Sequence, residues 1–193
     1  MTFPSGLPNE NTRCYLNSVM QAVRACDLEI GEQGELYHTL HLEDGPQDAH
    51  ETWLRLVDHL EKTRYPKETF YGTQRETCIS KSGKEERVVD FGCIHDDTLS
   101  EEYITTPDGF TLKQVTILTV PKVMVYVHDS ERPREFVPVN EFGKTLRALI
   151  VHGFGHYVAI VKHNDEWFLV NDMAVEKIEM FQYTLRAYMA FYV

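Results

Sequence analysis

The spacing of apolar residues changes partway along the chain. Leu16, Val19, Met20 and Val23 fall at i, i+3, i+4 and i+7, which predicts a helix that turns one face inward and has Cys14 at its amino end. Ala49, Trp53, Leu56, Val57 and Leu60 repeat at the same spacing and predict a second helix running to about Lys62. Asp44 followed three residues later by Gln47 is a capping-box-like signal for its start, and Pro46 is tolerated there. From Phe70 the character shifts. Ser80 to Arg87 reads as a polar turn between strands, and β-branched and aromatic runs predict strands at Phe110–Leu118, Lys122–His128, Phe136–Val139, Arg147–His152 and Tyr188–Val193. Asp108-Gly109, Asp129-Ser130 and Asn140 to Gly143 are the turn signals between them. A hairpin is predicted from Gly153 to Asp172, with His163-Asn164-Asp165 as its turn. A helical first third and a sheet-rich remainder make the expected class α+β.

Composition narrows the picture. With 193 residues and 42% hydrophobic content, the chain can bury a real core in one domain, or one domain with a small appendage. It holds no run of eighteen apolar residues, and Met1 to Pro8 lacks a charged start and an apolar core, so neither a membrane span nor a signal peptide is expected. Cys14, Cys26, Cys78 and Cys93 are too few and scattered for a disulfide framework, which makes a reducing compartment, the cytoplasm, the expected location. Thirty acidic against 19 basic residues give a net charge of −11. That disfavours nucleic acid or an anionic membrane as partner and favours a basic ligand, although surplus acid also simply keeps a protein soluble.

Candidate chemistry starts at Cys14. Unpaired N–H groups and the positive pole of a helix favour a thiolate, the reactive form of cysteine. The alternative is a buried structural cysteine. Far downstream, His156 stands near the start of one arm of the hairpin and Asn171 near the end of the other, so the two can lie side by side. Thiol catalysis needs an imidazole to take the cysteine proton and a third group to hold the ring. The order Cys14, His156, Asn171, with the histidine about 140 residues after the cysteine, is the papain-like order.

The stretch Gly6-Leu7-Pro8-Asn9-Glu10-Asn11-Thr12-Arg13-Cys14-Tyr15-Leu16-Asn17-Ser18-Val19-Met20-Gln21 resembles the cysteine box of the ubiquitin-specific protease family. Gly155-His156-Tyr157, followed by Trp167 and Asn171-Asp172, resembles its histidine box. Gln47-Asp48-Ala49-His50-Glu51, Val120-Pro121-Lys122-Val123 and the closing Ala187-Tyr188-Met189-Ala190-Phe191-Tyr192 resemble three further family segments, in the family's order. Asn11 and Arg13 depart from the glycine and threonine usual there. Asparagine tolerates a left-handed backbone, and Arg13 is expected to point to solvent rather than to act on the neighbouring thiol.

The resemblance implies a papain-like α+β fold in one catalytic domain over 1–193, with a helical thumb-like part at 1–66, a reduced fingers-like insertion at 67–105 and a β-rich palm-like part at 106–193. It implies that Cys14 is the nucleophile, His156 the general base, Asn171 the third triad member and Asn9 the oxyanion-hole amide, with Asp172 supporting the histidine. Asp48 and Glu51 would meet the arginines of an Arg-Leu-Arg-Gly-Gly tail. From spacing alone they are equally well first-turn acids that complement the helix dipole. Gly155 and Tyr157 would line the channel for the terminal glycines. Family members often hold zinc in the fingers with two Cys-x-x-Cys pairs. Here Cys78 and Cys93, with His95 nearby, fall short of the four ligands a structural site needs, so no metal and no cofactor are expected.

The expected function is a deubiquitinase cleaving after the Gly-Gly of ubiquitin or a ubiquitin-like modifier, acting as a monomer. The alternatives are a papain-like peptidase that processes a viral polyprotein and an inactive scaffold of the same fold.

Overall fold

Helix formation near the start of the chain follows the apolar spacing. The computed structural model describes residues 4–95, 102–106, 109–128, 136–179 and 187–193, and among them three α-helices: α1 Cys14–Ala25, α2 Gln33–Thr39 and α3 Ala49–Thr63. α1 begins at Cys14, directly after a short 3-10 turn over Glu10–Thr12. Leu16, Val19, Met20 and Val23 are fully buried, but Asn17, Ser18 and Gln21 on the other side are buried too. The helix is therefore covered all round. Its polar face survives burial because the donors find acceptors: Gln21 Nε2 donates to the Ser5 carbonyl at 2.6 Å, Asn17 Nδ2 to the Asp172 carboxylate at 2.8 Å, and Ser18 Oγ to the Tyr15 carbonyl at 2.9 Å.

The start of α3 corrects one expectation. Asp48, not Asp44, is its N-cap, accepting the Glu51 amide at 2.9 Å from an extended backbone. Asp44 instead accepts the Tyr37 hydroxyl at 2.8 Å. α2 escaped prediction because a seven-residue helix with Gln33, Leu36 and Tyr37 as its buried residues shows no full period.

Eleven strands are described: β1 Gly72–Ser80, β2 Gly83–Phe91, β3 Ile94–His95, β4 Glu102–Thr106, β5 Gly109–Thr119, β6 Met124–Val127, β7 Leu146–Gly153, β8 His156–His163, β9 Glu166–Asn171, β10 Ala174–Ile178 and β11 Ala187–Tyr192. They form a seven-stranded sheet in the order β10-β9-β8-β7-β11-β6-β3 and a four-stranded sheet in the order β2-β1-β5-β4. Every pairing is antiparallel except β3 with β6.

The central strands of the large sheet, β6, β11, β7 and β8, are buried on both faces over most of their length. Val125, Ile150, Ala159, Val161, Met189 and Phe191 face a core shared with α1 and α3, in which Trp53 packs edge-on against Phe70 and Phe191. Their neighbours Met124, Tyr126, Leu149, Ile160, Ala190 and Tyr192 alternate into a second cluster on the opposite face. Two-sided burial explains why these strands read as unbroken apolar runs.

Two further expectations are corrected. The stretch Ser80 to Arg87 is mostly strand, because the turn takes only Lys81 and Ser82 before Gly83. Phe136–Val139 is not a strand. It contributes only the bridge Val139–Thr145, since Pro138 has no N–H to offer a ladder. The predicted turn residues Asp108 and Asp129-Ser130 lie outside the described residues.

Candidate active site

Tight turns place the site residues at strand ends. β7 and β8 are joined by Phe154 and Gly155, with φ of 52° and 73°, the mirror-image turn geometry that matches the twist of a hairpin. His156 opens β8 directly after it. Asn171 ends β9, and Asp172 leaves the strand with a φ of 50°. Across this hairpin His156 Nε2 donates to Asn171 Oδ1 at 2.8 Å. The imidazole and the amide therefore lie together.

Cys14 meets them from the other side. It is 6% exposed, and it shares with Asn9, Gln47, Gly155, His156 and Tyr157 the wall of a cavity of about 80 Å³. Arg13, the N-cap of α1, makes no side-chain capping bond to the helix that starts at Cys14.

Asp172 joins the two halves of the site. Its backbone carbonyl accepts the Leu7 amide at 2.9 Å, Oδ2 accepts Asn9 Nδ2 at 2.8 Å, and Oδ1 accepts Asn17 Nδ2 at 2.8 Å. Asn17 also donates to the Pro8 carbonyl at 3.2 Å, and Gln33 Nε2 donates both to Asn17 Oδ1 and to Pro8. The loop that carries Asn9 is thus held by side chains of α1 and α2 as well as by the hairpin. From Asp172 Oδ2 to His156 Nε2 the distance is 3.7 Å. That is beyond a hydrogen bond.

A second hub sits at the start of α3. Asp48 Oδ2 accepts the hydroxyls of Tyr157 at 3.2 Å and Tyr188 at 2.9 Å, while Oδ1 caps the helix. Burial, and then the Asp48 charge, pushes Tyr157 up to about 12, and burial with the Asp48 hydrogen bond raises Tyr188 as well. Both phenols remain donors at neutral pH. Glu51 lies exposed on the helix and pairs with Arg55 at 2.7 Å. The two acids expected to act together thus have separate partners within the chain.

Arg13 corrects another expectation. Its guanidinium lies 3.8 Å from the centre of the Tyr37 ring and its side chain is only 12% exposed, with Glu10 at 3.6 Å. A flat, weakly hydrated cation gains more over an aromatic face than in water. The left-handed residue of the preceding turn is Thr12, with a φ of 63°. Cys26, at the far end of α1, is pushed up to about 12 by burial, which makes it an inert thiol.

Sequence reading missed the supporting amides Asn17 and Gln33, Tyr188, and the anchoring of Tyr157 by Asp48. One signal was present: Asn17 lies three residues after Cys14, on the same side of the helix.

No protein-family model and no curated protein matches the chain. Solved structures do. The SAGA DUB module of Ubp8, Sgf11, Sus1 and Sgf73 bound to monoubiquitin is similar with a TM-score of 0.79 and 16% identity, covering 98% of this chain and 68% of that chain. Another structure of the Ubp8-Sgf11-Sgf73-Sus1 SAGA DUB module gives 0.76 and 17% over 98% and 67%, and the module bound to ubiquitin aldehyde gives 0.72 and 14% over 98% and 69%. At these identities the likeness establishes the fold, a mixed α+β arrangement like that of a ubiquitin-specific protease.

Proposed function

We propose that this chain is a cysteine-dependent deubiquitinase that hydrolyses the peptide or isopeptide bond after the carboxyl-terminal Gly-Gly of ubiquitin or a ubiquitin-like modifier. The observation that carries this reading is the meeting of Cys14 and His156 on one cavity wall, with Asn171 bonded to the imidazole. The ubiquitin-bound structures of similar fold support the substrate class.

Because Asn171 occupies Nε2, the other ring nitrogen, Nδ1, is the one that takes the proton of Cys14. The sulfur attacks the glycine carbonyl. Asn9 has a second amide hydrogen beyond the one given to Asp172, and with the Cys14 N–H it holds the developing oxyanion; one such donor is typically worth about 3 kcal/mol in the transition state. His156 then protonates the departing lysine amine, and as base it activates the water that cleaves the thioester. A neutral Asn171 orients the ring but adds little to the stability of the imidazolium, and the Asp172 charge at 3.7 Å makes up that deficit.

In this reading Gly155 and Tyr157 border the channel for the two glycines, with Tyr157 fixed by Asp48. Glu51 remains exposed for a basic tail, its pairing with Arg55 being the readily exchanged kind. The fold is papain-like, and the four-stranded sheet is the shortened counterpart of the fingers.

The test is cleavage of a fluorogenic amide at the carboxyl terminus of ubiquitin and, in parallel, of other modifiers. Cys14→Ala is expected to lower kcat by about 10³-fold or more. Cleavage by Cys14→Ala at the rate of the parent chain would sink the proposal.

A further inference from the structure

We infer that His50, Cys93 and His95 form a binding site for a zinc-class divalent cation that clamps the first turn of α3 to β3. None of these three residues is among those proposed for hydrolysis. His50 Nε2 lies 3.3 Å from Cys93 Sγ, Cys93 Sγ lies 3.5 Å from His95 Nε2, and the ligand atoms of all three residues fall within 4.8 Å of one another. Tetrahedral zinc, with bonds of about 2.3 Å to sulfur and 2.0–2.1 Å to nitrogen, separates those atoms by about 3.6 Å. The two sulfur–nitrogen spacings are close to that edge length.

The two imidazoles do not stack. Their rings are 5.2 Å apart and inclined at 74°, an arrangement that lets both present a nitrogen to the same sulfur. Two imidazoles and a thiolate are a borderline-soft set, suited to zinc and its transition-metal neighbours and poorly suited to magnesium or calcium. His50 and Cys93 are half-buried whereas His95 is exposed, so a cation would be anchored on one side and open to water on the other.

Sequence spacing offers only Cys93 and His95. The fold supplies the third ligand from His50, 43 residues before the cysteine. Cys78 takes no part, because it sits in the four-stranded sheet opposite Glu85 and Lys113. As the metal–sulfur bond forms, the thiol proton passes to solvent. His50 follows Asp48 by two residues, so the clamp would fix the helix turn whose aspartate holds Tyr157 and Tyr188.

The experiment uses the full chain carrying Cys14→Ala, which removes the other thiol–imidazole pair, stripped of metal and titrated first with cobalt(II) and then with zinc(II). One equivalent of cobalt should give thiolate-to-metal charge-transfer absorption that zinc abolishes. Adding Cys93→Ser should abolish the absorption, and adding His95→Ala, at an exposed position, should weaken cobalt binding about 100-fold or more, since even outer-shell changes cost about 10–100-fold. Absence of a charge-transfer band, or a band of unchanged affinity in either variant, would overturn the inference.

Discussion

The seven-stranded and four-stranded sheets differ in what covers them. β6 and β11 of the large sheet are almost wholly buried, with apolar clusters on both faces. In the small sheet β2 is exposed along most of its length, and Val88, Ile79 and Leu118 keep much of their surface in water. Cross-strand charge does there what packing does in the large sheet: Glu76 is bonded to Arg87 at 2.6 Å and lies 3.3 Å from Lys113. The contrast explains where the site is. His156 and Asn171 sit at strand ends of the closely packed sheet, whereas the exposed sheet is held by its backbone ladder and ion pairs.

The difference is most strongly tested by truncation. Trp53→Ala removes a fully buried ring from the core under the large sheet and should cost about 3–5 kcal/mol in denaturant unfolding, whereas Val88→Ala on the small sheet should change stability by about 0.5 kcal/mol or less. Equal losses would erase the distinction.

Next in size is the link between the loop and the hairpin. Asp172→Ala releases Asn9 and Asn17 together and should lower kcat/KM for the ubiquitin amide about 100-fold, close to 2.7 kcal/mol. Asp172→Asn, which can still accept from one amide, should lose less. A Cys14-dependent rate unchanged in Asp172→Ala would show that the stitch does not position the site.

The smallest effect sharpens the comparison from the other sheet. Burial alone would raise the Glu76 carboxyl, but the hydrogen bonds and charges of Arg87 and Lys113 outweigh it and hold it below the usual carboxylate range. A carboxyl lowered on folding stabilises the protein above its unfolded pKa of about 4.3 and loses that contribution as pH falls through the folded value. Glu76→Gln should therefore cost about 1–3 kcal/mol at pH 7, and its deficit relative to the parent should shrink below about pH 4. Urea midpoints at the two pH values measure it, and a deficit that is the same at both would contradict the ion-pair account.

Much of this architecture is legible in the residues, for identifiable reasons. α1 and α3 carry a full apolar period over several turns, so their existence and the place of Cys14 at a helix start follow from spacing. The hairpin of β8 and β9 follows from apolar runs around a polar turn. What spacing cannot reach is long-range. That α1 is buried on its polar face depends on residues 5–8 lying over it, with Asp172 reaching across 155 residues to Asn17. Asp48 reads as a helix-start acid or a ligand for arginines, and its two tyrosine partners lie 109 and 140 residues away. β10 went unread because its side chains are exposed and carry no core pattern.

The central claim is that the sulfur of Cys14 and the imidazole of His156 work as one unit on a Gly-Gly carboxyl terminus. Ubiquitin bearing a carboxyl-terminal electrophile tests it directly, with the adduct located by peptide mapping. A single adduct at Cys14, lost in Cys14→Ala and leaving Cys26, Cys78 and Cys93 unmodified, is the predicted result, and either no adduct or one borne by another cysteine would contradict it.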